Sequence, residues 1–163
     1  MHSIHLKLAL TSGLLIAGFA VPGAAQTKPE TFSATLTGAH EVPQVNAIGT
    51  GMARFTVKND SLIMFTISLK GVPGVTGAHI HLGADGAAGE PVATLMKGAV
   101  RGGKVSGMIT SKDLQGGTTI SQLIAAMKSG GAYVNVHTRT HPDGEVRGEI
   151  EPGASTTMSQ LTH

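Results

Sequence analysis

Along most of this chain, apolar residues fall on every second position, the repeat of a strand with one face against a core. Thr31–Leu36 places Phe32, Ala34 and Leu36 on one side. Thr50–Lys58 does the same with Ala53, Phe55 and Val57, and Ser61–Lys70 with Ile63, Phe65, Ile67 and Leu69. Asn59-Asp60 lies between these two segments and tolerates the positive φ of a tight turn, so they predict a hairpin. Thr76–Leu82 turns Ala78, Ile80 and Leu82 inward and His79 and His81 outward. Val92–Met96 and Lys104–Ile109 read as short strands. Tyr133–Thr138 gives Val134 and Val136 to the core and leaves Tyr133, Asn135 and His137 on the opposite face. Glu145–Glu151 closes the series with Val146 and Ile150.

The period of two fails once. Ile120, Leu123, Ile124 and Met127 recur at helical spacing, and Ser129-Gly130-Gly131 is a stop signal, which predicts one helix from about Thr119 to Ser129. Gly38–Ile48, with Pro43, reads as a loop, and Gly83–Gly89 as a glycine-rich one. His141-Pro142-Asp143-Gly144 is a turn with Pro142 at its first central position. Short strands at close spacing with one inserted helix predict an all-β fold, a Greek-key β-sandwich or barrel of about seven to eight strands. On this pattern Met52, Met64, Met96, Met108 and Met127 are expected mostly in the core. Glu41, Glu145, Arg147 and Glu149 are expected on a solvated face.

The first residues follow another rule. Met1–Lys7 is a short start with one fixed positive charge, Leu8–Val21 is mostly apolar, and Gly23 and Ala25 are the small residues a signal peptidase needs. The apolar run is shorter than the about 20 residues that span a bilayer. Residues 1–25 therefore predict a signal peptide cleaved after Ala25. A loose lead over 26–30, one domain over 31–151 and a flexible tail over 152–163 follow. The expected destination is the periplasm, the cell surface or the extracellular medium, with no transmembrane segment after cleavage.

Composition narrows the function. With no cysteine, neither a disulfide framework nor a thiolate metal site can form. Twelve basic residues stand against ten acidic ones, and Lys7 lies in the leader, so no basic face for nucleic acid is expected. Six histidines follow residue 25, and His79-Ile80-His81 is the strongest local feature. Residues two apart on a strand point the same way, about 7 Å apart at Cα, which suits two ligands of one ion. His137 joins them if its strand lies alongside, and His40, His141, Asp143 or Glu145 could complete a site. Imidazole nitrogens with a carboxylate suit copper or zinc. Two other readings stay open: histidines that brace loop backbone, and an acid–base histidine, for which no serine or carboxylate sits at a diagnostic spacing.

Four segments together resemble the CHRD (chordin) domain family. They are Ala34-Thr35-Leu36-Thr37-Gly38-Ala39-His40-Glu41-Val42-Pro43, Gly77-Ala78-His79-Ile80-His81-Leu82-Gly83, Gly131-Ala132-Tyr133-Val134-Asn135-Val136-His137-Thr138 and Pro142-Asp143-Gly144-Glu145-Val146-Arg147-Gly148-Glu149-Ile150. The resemblance spans about Thr31–Glu151 and implies an immunoglobulin-like β-barrel. The family's matching histidines fall on His79, His81 and His137, with no catalytic assignment to carry over. Growth-factor antagonism, the role of the repeats in chordin, is not implied for one copy without cysteine-rich modules. A second, weaker similarity is to Cu/Zn superoxide dismutase, which has a His-x-His strand in a Greek-key barrel. This chain lacks the dismutase cysteines and a clear bridging-histidine loop. The expectation is thus an exported binding module holding copper or zinc through His79, His81 and His137. The alternatives are a copper-dependent redox enzyme and a structural or adhesive envelope module.

Overall fold

Nine strands form one antiparallel sheet in the computed structural model, which describes residues 29–98 and 103–153. In chain order they are β1 (Thr31–Thr37), β2 (Thr50–Asn59), β3 (Leu62–Lys70), β4 (Val75–Leu82), β5 (Pro91–Lys97), β6 (Lys104–Ile109), β7 (Ala132–Thr138), β8 (Val146–Glu149) and β9 (Glu151–Pro152). Neighbours run β5-β4-β7-β8-β1-β2-β3-β6, and β9 pairs with β1. The sheet curls until its two ends, β5 and β6, approach each other. An isolated bridge, Ala93–Leu114, and a 2.9 Å bond from the Gln115 N–H to the Val92 carbonyl help to cover that seam. The result is a barrel closed all but for one seam, which leaves little edge for stray strand pairing.

The alternating pattern fills the barrel. Phe32, Leu36, Phe55, Ile63, Ile67, Ile80, Val134 and Val136 are all fully buried. The helix, α1 (Ile120–Ser129), adds Leu123 and Met127 from its apolar stripe. Its ends are set by sequence. Thr119 Oγ1 accepts the Gln122 N–H at 3.2 Å, Gln122 Oε1 accepts the Thr119 N–H at 2.8 Å, and Gly130 ends the helix at φ 71°. Reciprocal bonds of this kind satisfy two otherwise orphaned N–H groups, and a cap residue contributes about 1 kcal/mol.

Several expectations need correction. The final strand divides: β8 pairs with β7, whereas Glu151 and Pro152 pair with Ser33 and Phe32 of β1, and the intervening Ile150 points into the core. The β2–β3 turn uses no positive φ outside glycine. The Asn59 side chain closes it, accepting the Ser61 N–H at 3.0 Å and hydroxyl at 2.8 Å. Met96 and Met127 are buried, but Met52, Met64 and Met108 are exposed, because Ala53, Ile63, Phe65 and Ile109 take the inward positions beside them. The predicted leader over residues 1–25 and the tail beyond Gly153 lie outside the described residues.

Candidate metal centre

β4 and β7 are neighbours, and their register sets Gly77 opposite His137, His79 opposite Asn135 and His81 opposite Tyr133. The outward positions of the two strands are therefore His79 and His81 on one and Tyr133, Asn135 and His137 on the other. One nitrogen from each of His79, His81 and His137 lies within 4.8 Å of the other two. The ring centres of His79 and His137 are 5.0 Å apart, those of His79 and His81 6.0 Å, and those of His81 and His137 6.1 Å.

Two of the rings are held by main-chain carbonyls. His81 Nδ1 is 2.8 Å from the Gly89 oxygen and His137 Nδ1 is 2.9 Å from the Pro142 oxygen. A carbonyl can only accept, so each Nδ1 carries the proton and each Nε2 carries the lone pair. Both Nε2 atoms are buried without a hydrogen-bond partner among the described residues. Leaving a buried acceptor unpaired costs about 1–3 kcal/mol, so two aimed at one place ask for an explanation.

The loops that supply those carbonyls are themselves fixed. Gly89 lies against β4 so closely that a Cβ would fall 1.5 Å from the Leu82 carbonyl oxygen. Its N–H donates to the Tyr133 hydroxyl at 2.9 Å. The Tyr133 ring stacks on His81 at 5.0 Å, and the Arg147 guanidinium lies 3.4 Å over its other face. Arg147 also donates to the Ala87 carbonyl at 2.9 Å and to Glu149 at 2.8 Å. A layered Arg147–Tyr133–His81 stack thus joins the 83–90 loop to the sheet. On the other side, the His141–Gly144 turn presents the Pro142 carbonyl. Gly144 N–H donates to the His141 carbonyl at 3.2 Å, and Asn135 Nδ2 to the Asp143 carbonyl at 3.1 Å. Gly144, at φ 151°, packs against Glu41 and Asn135, with no room for a Cβ.

Burial governs the charges. It holds His79 and His81 below the ordinary histidine range, and repulsion within the group reinforces this: a proton on His79 would face His137, His81 and Lys97, and one on His81 would face His137 and Arg147. The Gly89 carbonyl opposes the shift at His81, as does Glu90 more weakly. Rings kept neutral at pH 7 keep their lone pairs free. Burial likewise raises Glu41 to about 7, with Glu145 adding to the rise and Arg147 and His141 opposing it.

Of the five histidines singled out in sequence, three converge. His40 is exposed and lines a separate depression with Asp85, Glu149 and Glu151. His141 directs its Nδ1 to Glu145, 2.5 Å away, and Glu145 also accepts the Thr138 hydroxyl at 2.9 Å. Glu41, Glu145 and Arg147, expected in solvent, are buried at 6%, 7% and 2% exposure, because the loops fold over this part of the sheet. Sequence reasoning missed the carbonyls of Gly89 and Pro142 and the Tyr133–Arg147 stack. Tyr133 sharing a face with His137 was the one signal pointing to the stack.

An antiparallel barrel carrying three histidines under its loops on two adjacent strands defines the class. A family profile described as the CHRD domain matches residues 32–150, and the chain belongs to that family. Comparison with curated proteins finds no match.

Proposed function

We propose that this CHRD-domain protein is exported and binds one transition-metal ion, copper before zinc, through His79, His81 and His137. The observation that carries the reading is the pair of buried Nε2 lone pairs on His81 and His137, each fixed by a carbonyl on the other ring nitrogen and each without a partner among the described residues. Histidine ligands of metals characteristically donate their second N–H to a carbonyl or carboxylate, which sets tautomer and ring orientation. With the three nitrogens within 4.8 Å of one another, a common point lies roughly 3 Å or less from each. Small side-chain rotations close that to the about 2.0–2.1 Å of a metal–nitrogen bond. Imidazole suits both ions, and divalent copper binds such nitrogen sites more tightly than zinc. Export rests on the Met1–Ala25 sequence and agrees with a donor set that needs no thiol.

Calorimetric titration with Cu(II) and Zn(II) tests the binding. One equivalent of metal, with affinity lost in His79→Ala, His81→Ala and His137→Ala, supports it; binding indifferent to all three sinks it. For export, the mass of the protein recovered outside the cytoplasm should correspond to a chain starting at Gln26.

A further inference from the structure

Building on that reading, we infer that the three-histidine centre keeps a coordination position open to solvent and takes a small anion there as an exogenous ligand. Among the described residues, the group contains three donors and no carboxylate or fourth histidine. Three protein ligands with a vacant position are the arrangement of exchange-active rather than closed structural metal sites. The rings look into a depression of about 340 Å3 whose remaining lining is Thr76, Gly77, Pro91 and Pro142. Glycine and proline offer no side-chain donor and Thr76 only a neutral hydroxyl, so no further imidazole or carboxylate in the lining competes for the vacancy.

Gly77 makes the mouth. It lies beside His137 across the strand pair and on the same outward side of β4 as His79. A Cβ at Gly77 would stand 3.7 Å from His79 Cε1 and 3.3 Å from the Met96 carbonyl oxygen. No positive φ requires glycine at this position. The missing side chain is therefore a matter of space, and a larger residue would project over the rings.

Charge selects the class of ligand. Lys97 pairs directly with Gly77 on the far side from His137, is exposed, and acts electrostatically on His79. Arg147 acts on His81 from behind Tyr133. Glu90, the acidic group that acts on His81, is exposed. A dipositive ion held by neutral imidazoles, with Lys97 on the adjoining strand position beside Gly77, attracts monoanions and repels cations.

Azide is the probe. Titrated into Cu(II)-loaded protein, it should give a saturable charge-transfer absorption and a changed electron paramagnetic resonance spectrum. Lys97→Glu should retain copper and weaken azide about fivefold at low salt, with the gap closing as salt rises. Gly77→Val should retain copper and weaken azide at least about tenfold by covering the mouth; if that variant loses copper, Lys97→Glu carries the test. Copper bound at the histidines with no spectral response to azide overturns this inference and leaves the metal reading intact, as does azide affinity unchanged in Lys97→Glu. Failure to bind copper at all overturns both.

Discussion

The barrel has two outer faces built by the same alternation, and they have opposite fates. Over β1, β2, β3 and β6, the outward rows are Thr31-Thr56-Met64-Met108, Ser33-Arg54-Thr66-Ser106 and Thr35-Met52-Ser68-Lys104. These side chains reach solvent fully or in part. Over β4, β7 and β8, the outward residues are His79, His81, Tyr133, Asn135, His137 and Arg147, and loops cover them until Tyr133, Asn135 and Arg147 are almost entirely buried. The first face is hydroxyls, thioethers and flexible cations that water satisfies. The second is largely removed from water, and each buried polar atom on it must find a partner or wait for one. Besides the two histidines, Glu41, Asn135, Arg147 and Glu149 there hold buried atoms with no partner among the described residues. Chemistry concentrates where the chain has covered a polar sheet face, not where the sheet lies bare.

The sharpest way to break this contrast is metal affinity. His81→Ala or His137→Ala should lower Cu(II) affinity by at least about 100-fold, given that disturbing outer-shell partners alone costs 10–100-fold. Thr66→Ala and Ser106→Ala, a hydroxyl pair 3.0 Å apart on the bare face, should leave it unchanged by calorimetry. The next largest effect is on stability. Arg147→Met removes a buried cation bonded to Glu149 and the Ala87 carbonyl and should cost about 2–4 kcal/mol in urea denaturation. Arg54→Met on the exposed face should fall within about 0.5 kcal/mol of the parent.

Glu41 adds a pH signature with a definite sign. Its carboxyl titrates near 7 when folded against 4.5 when unfolded, so the folded state holds the proton more tightly. The stabilisation this gives is complete below pH 4.5 and disappears as pH rises through 7. Glu41→Gln should therefore match the parent near pH 4 and exceed it by about 1–2 kcal/mol at pH 8, read from thermal melts at both values. The smallest expected effect runs the other way. His79 and His81 resist protonation in the fold, so the metal-free protein should lose stability as pH falls below 6.5, where the unfolded chain takes up protons the folded rings refuse. Replacing both by phenylalanine should flatten that acid limb.

Much of the barrel was legible because strand period is a local property. Phe32, Ala34 and Leu36, or Ile63, Phe65 and Ile67, announce their face within a few residues. The helix was equally plain, since Thr119, Gln122 and Gly130 cap it from within its own neighbourhood. The convergence of His79 and His81 with His137 was half legible: each face could be read, but the adjacency of β4 and β7 spans about fifty residues of chain and is set by the whole sheet. The bracing could not be read at all. Gly89 and Pro142 act through carbonyl groups that every residue possesses, and their placement depends on loop paths. Glu41 and Arg147 misled for a related reason. Charge predicts exposure until a loop covers it, and nothing local in either residue's surroundings says that one will.

Tyr133 gives the site an optical reporter of its own. It is the single tyrosine of a chain without tryptophan, and it stacks directly on His81. Emission excited at wavelengths longer than phenylalanine absorbs therefore comes from one ring, stacked on a metal-ligand candidate. Open-shell Cu(II) held at that imidazole would quench the emission, whereas closed-shell Zn(II) would leave most of it, so a cuvette titration distinguishes which ion has arrived without any label.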